Sequence, residues 1–408
     1  MITNTFFLPY KAFSMKRVIV GLSGGVDSSV AALILKTKGY EVIGIYLKNT
    51  FLDKNCDWEE ESITALMVSQ KLGIPFYIID ITNYYKQIIY DHTINNYLKG
   101  KTPNPDILCN KKIKFNLFLK KSAILKADYI ATGHYVRKKK ISGRFNHAYK
   151  LLTALDHKKD QSYFLCCLNQ YQIKKSLFPL GNIKKKQVRT IAKSAKLVNA
   201  KRKDSQGICF LGKKNFSSIL KKTITKKIGT IILINPECNI YKNKIDKLSL
   251  KNKINILAEL AEKIKYKPKY GNKIGFHEGV AFFTKGQRKG IQLGGFNHPL
   301  FVLDKDLKHN ILYVGKGKKH PGLFKSVFFI KNKHITWLNK NYKKIIKEKK
   351  PFKIKAKIRS QQKLQRATLY CINNGIYICF KLPQRAMTEG QYIVLYFKNE
   401  LIGSCLYD

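Results

Sequence analysis

Two groups of residues in this chain have the types and spacing that chemistry needs. The first is the loop Gly21-Leu22-Ser23-Gly24-Gly25-Val26-Asp27-Ser28-Ser29. An apolar run leads into it and a second one follows, so it reads as a tight turn between a strand and a helix. Free N–H groups and the dipole at a helix N-terminus favour an anion. Glycines let the backbone approach that anion, and Ser23, Ser28 and Ser29 add hydroxyls. A phosphate-bearing ligand is the expectation. The second group is a pair of thiols, Cys109 and Cys209. Cys109 precedes Lys111, Lys112 and Lys114 at an expected helix N-terminus, and Cys209 follows Lys201, Arg202 and Lys203. Positive surroundings lower a thiol pKa from ~8.5 toward neutrality and favour the nucleophilic thiolate. The plain alternative for any one cysteine is a small buried hydrophobe. Cys56, Cys166, Cys167, Cys238, Cys371, Cys379 and Cys405 are assigned to it.

The elements that must hold these groups follow from periodicity and punctuation. Strand 17–22, helix 28–38, strand 42–47, helix 57–72, strand 76–80 and helix 83–98 alternate, which predicts an α/β fold with a doubly wound parallel sheet. Ligands bind such sheets at the C-terminal ends of the strands, where the glycine loop falls. The loop 101–110 is expected to enter a helix over 110–125, and strand 129–132 to end in Gly133-His134. Helices are expected near 169–177 and 184–196. After about residue 225 the pattern changes, with a strand over 230–234 and helical spacing from Ile256 to Ile264. From about 296 onward β signals dominate. Lys353–Arg359 alternates strictly, which predicts every charge on one face, and Asn373-Asn374-Gly375 predicts a hairpin turn. The domain reading is an extension at 1–14, a nucleotide-binding domain at 15–225, a small central domain at 226–295 and a C-terminal β-barrel at 296–408.

The chain has 408 residues, enough for two or three domains with buried cores. Its formal net charge of +53 implies a polyanionic partner such as nucleic acid. Abundant Lys, Asn, Ile, Phe and Tyr throughout point to A/T-rich coding as a second source of that excess. Nine cysteines without C-x-x-C or His/Cys ligand spacing argue against a disulfide framework or a zinc site, and for the cytoplasm. No apolar run approaches the ~20 residues that span a bilayer. Residues 1–14 make a poor targeting peptide, and Met15 is an alternative start.

The loop lacks the lysine of a G-x-x-x-x-G-K-[ST] phosphate loop. It matches G-x-S-x-G through Gly21, Ser23 and Gly25, but a hydrolase elbow normally follows several strands rather than the first. A structural β-turn without a ligand is the plain alternative. Ser23-Gly24-Gly25-Val26-Asp27-Ser28 resembles at every position the S-G-G-x-D-S loop of enzymes that split ATP into AMP and pyrophosphate. Such enzymes adenylate a carbonyl oxygen, and a nucleophile then displaces AMP.

Further motifs occur in order: Asn104-Pro105-Asp106 with Cys109-Asn110, Ala131-Thr132-Gly133-His134-Tyr135, Lys159-Asp160-Gln161-Ser162-Tyr163-Phe164-Leu165, Asp204–Phe210, Gly286-Gln287-Arg288-Lys289-Gly290, Pro383-Gln384-Arg385-Ala386 and Gly390-Gln391. The series resembles the bacterial tRNA-specific 2-thiouridylases from about residue 16 onward. The resemblance implies an ATP site formed by Gly21, Leu22, Ser23, Gly24, Gly25, Val26, Asp27 and Ser28, with Leu47 and Gly133 lining it. It implies that Asn104, Pro105 and Asp106 meet the target uridine, with Asp106 positioning the base or moving a proton. Cys209 would carry sulfur as a persulfide and Cys109 would be its partner nucleophile. Lys159, Asp160, Gln161, Arg359, Ser360 and Gln391 would touch tRNA at the anticodon stem-loop. Mg²⁺ is expected with ATP, and a cysteine desulfurase or sulfur-relay protein as the sulfur donor.

The sequence departs from that pattern in residue type in two places, and its 236–270 excursion is longer than in many members. Leu47-Lys48-Asn49-Thr50 stands where the family usually has Met-Lys-Asn-Trp, and Arg359-Ser360-Gln361 replaces Arg-Tyr-Arg. Plainer readings stand beside the functional ones: Asp106 as a turn or cap residue, Asp160 as an N-cap, His134 as a structural histidine, 286–290 as a solvated basic turn and 353–359 as an outer barrel face. Two other functions fit parts of the chain. A small-molecule-amidating ATP pyrophosphatase would not need two thiols or a basic barrel, and a non-enzymatic RNA-binding protein would leave the loop idle.

Overall fold

The computed structural model describes residues 15–51, 57–141, 148–204, 216–241, 254–348 and 351–408. The first sheet contains β1 (Arg17–Gly21), β2 (Glu41–Lys48), β3 (Phe76–Asp80), β4 (Tyr129–Ala131) and β7 (Ser176–Leu177) in the order β3-β2-β1-β4-β7. All four pairings are parallel. β1 pairs with β2 on one side and β4 on the other, so the chain reverses direction across the sheet at β1. The glycine loop leaves β1 at that switch point, where open α/β sheets bind ligands.

Both faces of the sheet are covered, which explains why its strands read as continuous apolar runs. On one face Val18, Val20 and Leu22 pack with Val30 and Ala31 of α1 (Val26–Thr37), Ala65 and Val68 of α2 (Asp57–Leu72) and Val188 of the helix Lys185–Ser194. On the other, Ile19 and Ile45 meet Ile107, Phe115 and Phe118.

Three expectations are corrected. The helix expected to start at 110 starts at Pro105 and continues through a π-helical stretch, Asn110–Leu117, to Ile124. Asn104 Oδ1 accepts from Ile107 N at 3.1 Å, and Pro105 has no N–H to leave unsatisfied at the first position. Second, the boundary at 295/296 falls inside one unit. β10 (Leu300–Asp306) and β11 (Ile311–Lys316) join β8 (Gly229–Ile234) and β9 (Gly271–His277) in a sheet ordered β10-β11-β8-β9. The parallel β11–β8 pairing closes that unit, a long-range contact with no local sequence signature.

The third concerns β14 (Phe352–Lys357). Lys353 and Lys355 face solvent as the alternation requires, but Lys357 is buried, 4% exposed. β14 belongs to a nine-stranded sheet with β12 (Phe324–Lys331), β13 (Ile335–Trp337), β15 (Gln365–Ile372), β16 (Gly375–Arg385), β17 (Tyr392–Phe397) and β18 (Glu400–Leu406). The last two members, β5 (Val136–Ile141) and β6 (Ala148–Thr153), come from the nucleotide-binding segment, where β6 pairs with β18. This hairpin and the buried Lys357 tie the two units together. The turn at Asn373-Asn374 forms as expected, with Ile372 opposite Gly375.

Candidate active site

The loop after β1 is drawn into a cup by its own side chains. Ser28 Oγ accepts from Ser23 N at 3.2 Å and donates to Gly25 O at 3.0 Å. Asn199 Nδ2 donates to Gly24 O at 2.8 Å and to Ser29 Oγ at 2.9 Å, pinning the turn from outside. Gly24 has φ +69, and a Cβ there would lie 2.6 Å from Glu61 O. Gly133, at the end of β4, backs onto the same turn, where a Cβ would sit 2.8 Å from Ser28 N. Leu22 and Val26 are 1% and 4% exposed and contribute side chains only to the core behind the cup. Ser23 is exposed at the mouth of the cup, and the glycine-rich turn at the N-terminus of α1 suits a polyphosphate. Leu47 lies near the C-terminal end of β2, beside Ile79 of β3.

Cations ring the cup. Lys185 Nζ bridges Asp27, at 2.7 and 2.8 Å, and Asp204, at 2.7 Å. Asp204 also receives Lys159 at 2.7 Å and Arg189 at 2.5 Å. Burial opposes ionisation of Asp204, but Lys159 and Lys185 override it and hold the carboxyl well below the usual range. Tyr135 Oη donates to Asp27 at 2.7 Å, and burial followed by that carboxylate drives the phenol pKa up. Sequence reasoning missed Tyr135, Lys185, Arg189 and Asn199 as members of the site. Lys185 is hidden in the run Lys184-Lys185-Lys186, and a lone Asn carries no signal at all.

Asp160 and Gln161 organise the loop between β6 and β7. Gln161 Oε1 accepts from Tyr135 N at 2.9 Å. Asp160 accepts from Ala154 N at 3.1 Å, Ser162 Oγ at 2.9 Å and Lys357 Nζ at 3.0 Å, with its side chain 6% exposed. The carboxylate expected at RNA therefore faces protein. Lys357 also reaches Ser360 O at 3.2 Å, next to Arg359, whose guanidinium holds Ala386 O at 3.0 Å.

The C-terminal part of the chain closes on the loop 101–106. Thr102 N donates to Glu389 O at 2.8 Å, and a Cβ on Gly390 would lie 3.0 Å from Thr102 C. Gln391 follows directly, and its Oε1 is buried without a partner. The 286–290 turn is packed at its start, where a Cβ on Gly286 would reach the Ala386 methyl at 2.4 Å, while Arg288, Lys289 and Gly290 are exposed.

Cys109 is 1% exposed, one turn inside its helix rather than at the N-terminus. It packs with Ile81, Tyr85, Ile89, Ile113 and Ile219. Cys209 lies outside the described residues, but both flanks of its segment are placed. Asp204 is tied to Lys185 and thus to Asp27, while Ile219 packs in the cluster that holds Cys109.

Comparison with known proteins agrees with this division. Residues 16–213 match the family described as tRNA methyl transferase HUP domain, 255–316 its PRC-barrel domain, and 329–406 the aminomethyltransferase beta-barrel domain. The chain is 54% identical to a tRNA-specific 2-thiouridylase of Karelsulcia muelleri, covering 96% of this chain and 98% of that one. It belongs to the tRNA-specific 2-thiouridylases. A second member, from Flavobacterium johnsoniae, is 46% identical over 96% of this chain and 99% of its own. A third, from Christiangramia forsetii, is 45% identical with the same shares covered. Among the described residues of this thiouridylase no helix is long and apolar enough to cross a membrane, and no cluster of three or more His, Cys, Asp or Glu could hold a metal.

Proposed function

We propose that the chain thiolates C2 of a tRNA uridine, at the wobble position of the anticodon, by adenylation followed by persulfide chemistry. The uracil C2 oxygen attacks the α-phosphate of ATP held in the Gly21–Ser28 cup, and the bond to pyrophosphate breaks. Backbone N–H groups of the cup and the cations around it stabilise the departing charge. Mg²⁺ accompanies ATP and offsets phosphate charge. The terminal sulfur of a Cys209 persulfide adds to C2, and AMP leaves with its bonding electrons. The base is then joined to Cys209 through an S–S bond. Cys109 thiolate attacks Cys209 Sγ, which forms a Cys109–Cys209 disulfide and releases the 2-thiocarbonyl. A dithiol reductant supplies two electrons and two protons to restore both thiols.

Asn104, Pro105 and Asp106 receive the base, with Asp106 in the first turn of its helix. Gln391, Lys159, Gln161, Arg359 and Ser360 flank the RNA, while Asp160 acts through Lys357 by holding the loop. An anticodon loop yields its base at modest cost because that base is already single-stranded.

One observation carries this reading. The segment bearing Cys209 is anchored at one end to the ATP cup, through Asp204–Lys185–Asp27, and at the other to the cluster around Cys109. A single stretch of eleven residues, 205–215, thus connects the adenylation site to the second thiol. The test is incubation with ATP, Mg²⁺, unmodified tRNA and a persulfide donor, with 2-thiouridine read by mass spectrometry. Wild type should form product with one AMP per thiouridine, and Cys109→Ser and Cys209→Ser should form none. Full product from Cys209→Ser with the same donor would overturn the thiol assignment.

A further inference from the structure

The three units meet around a cavity of about 380 Å³ whose lining includes neither the residues of the ATP cup nor Cys109. Lys99 and Gly100 line it from the nucleotide-binding unit, and Asp304 and Lys305 from β10. Ser326 of β12 and Thr388, between β16 and β17, close it from the C-terminal sheet. The joint is tight at its edge, where a Cβ on Gly100 would lie 2.8 Å from Leu307 Cδ1.

The walls are largely apolar, with Leu260, Tyr266, Leu323 and Met387 among them. The Tyr266 ring is held against Tyr313, with centroids 5.3 Å apart and planes 26° apart. Walls of this kind take a flat apolar body, and a few polar groups then fix its orientation.

Three polar groups in the lining are short of partners. Ser326 is 4% exposed, and its Oγ is buried with no hydrogen-bond partner among the described residues. Thr388 Oγ1 is in the same position. Lys305 Nζ donates to Phe283 O at 2.7 Å and makes no ion pair among the described residues. The carboxylates nearest to it in sequence and space, Asp304 and Glu389, hold Lys263 instead, at 3.6 and 3.4 Å. Burial lowers the Lys305 pKa from 10.5 to about 8, against the pull of those two carboxylates and with the push of Lys263. Its charge is therefore under-compensated even with these neighbours counted. Across the whole lining five lysines stand against three acidic residues, so the balance is positive whichever pairs form.

Water in the cavity can serve the two hydroxyls, but it brings no charge to the ammonium. A carboxylate does both, since its oxygens accept from hydroxyl and ammonium alike.

We propose that this cavity binds a small aromatic carboxylate, with its acid group at Lys305 and the hydroxyls of Ser326 and Thr388 as further partners. Such a ligand touches all three units. Glu389, next to Thr388, accepts from Thr102 N at 2.8 Å through its carbonyl. The ligand thus braces the joint that holds the loop 101–106.

The test is isothermal titration of the full chain with 2-naphthoate, and with 2-naphthamide as a neutral probe of similar shape. Moderate salt screens the lysines of the open surface. Wild type should bind one naphthoate, and bind naphthamide at least tenfold more weakly. Lys305→Met should lose at least tenfold for naphthoate and less than twofold for naphthamide. Thr388→Val, which keeps the side-chain shape, should lose at least threefold for naphthoate. Without probe, both variants should release pyrophosphate at the wild-type rate. Equal naphthoate affinity in wild type and Lys305→Met overturns the proposal, as does no saturable binding to wild type. If Lys305→Met does not fold, unchanged affinity in Thr388→Val overturns it. Displacement of naphthoate by ATP would assign the probe to the cup, and displacement by equimolar tRNA would assign the cavity to RNA. Either result also overturns the proposal. None of these binding readouts depends on the roles of Cys109 and Cys209.

Discussion

The ammonium of Lys357 lies 3.0 Å from Asp160 Oδ2, with the two side chains only 5% and 6% exposed. The pair joins β14 of the C-terminal sheet to the loop that carries Lys159 and Gln161, and Lys159 reaches the ATP cup through Asp204. Removing one member of a buried pair strands the other charge in a poor dielectric, at a cost of about 3–5 kcal/mol. Lys357→Met is expected to lose stability of that order in urea unfolding. Lys357→Met with Asp160→Asn should recover most of it, because no charge is then stranded. A Lys357→Met loss under ~1 kcal/mol would mean that water reaches the pair.

Gly133→Ala tests the ATP cup. A Cβ at this position would sit 2.8 Å from both Asp27 C and Ser28 N, and neither is a flexible side-chain end. The turn must shift away from β4, taking its N–H groups off their target. KM for ATP should rise at least tenfold while KM for tRNA changes little, as read by pyrophosphate release. An unchanged KM for ATP would separate Gly133 from the nucleotide site.

Several features were legible because they are local. The strand–turn–helix around Gly21–Ser29 needs only apolar runs and glycines, and the turn at Asn373-Asn374 only its own residues. The features that were not legible depend on distant partners. Lys357 lies on the charged stripe of an alternating strand, and only Asp160, nearly two hundred positions away, turns it inward. The Cys109 helix starts at Pro105 rather than 110, because Pro103, Asn104 and Pro105 are residues of a turn as much as of a helix start, and only the bond from Ile107 N to Asn104 decides between them. Lys185 could not be told from its two lysine neighbours without knowing which one faces Asp27. The parallel β8–β11 pairing joins strands some eighty residues apart, which moved the expected domain border.

Lys185 links the two carboxylates nearest the cup, Asp27 and Asp204. Lys185→Met removes the bridge and leaves the Asp27 carboxylate accepting from the Tyr135 hydroxyl. The variant should show a pyrophosphate release rate at least tenfold lower. Its Cys209 persulfide loading should be intact, because loading needs no ATP. Lys185→Arg, with a longer fork able to reach both carboxylates, should retain more activity than the methionine variant. Equal loss in both variants would point to a geometric role that only lysine fills.

His134 offers a test through pH. Its ring is buried among protein groups, with Nδ1 2.8 Å from Thr132 Oγ1 and Phe115 5.7 Å away centroid to centroid. Burial, followed by the charge of Lys114, pushes its pKa well below the ordinary value of 6.5. The folded state thus keeps the ring neutral while the unfolded chain takes up a proton near pH ~6.5. The sign follows: stability is level above that pH and falls as pH drops below it, by at most ~1.4 kcal/mol per pH unit for one proton. His92, His277 and His320 are depressed in the same direction, chiefly by burial, and add to the slope. His134→Gln should lower stability at pH 7.5 yet lose less between pH 6.5 and 5.5 than wild type does. The imidazole resonances of His134 should not titrate over that range in the folded protein. A ring that titrates near 6.5 would place His134 in contact with water, and the neutral packing beside Gly133 would have to be abandoned.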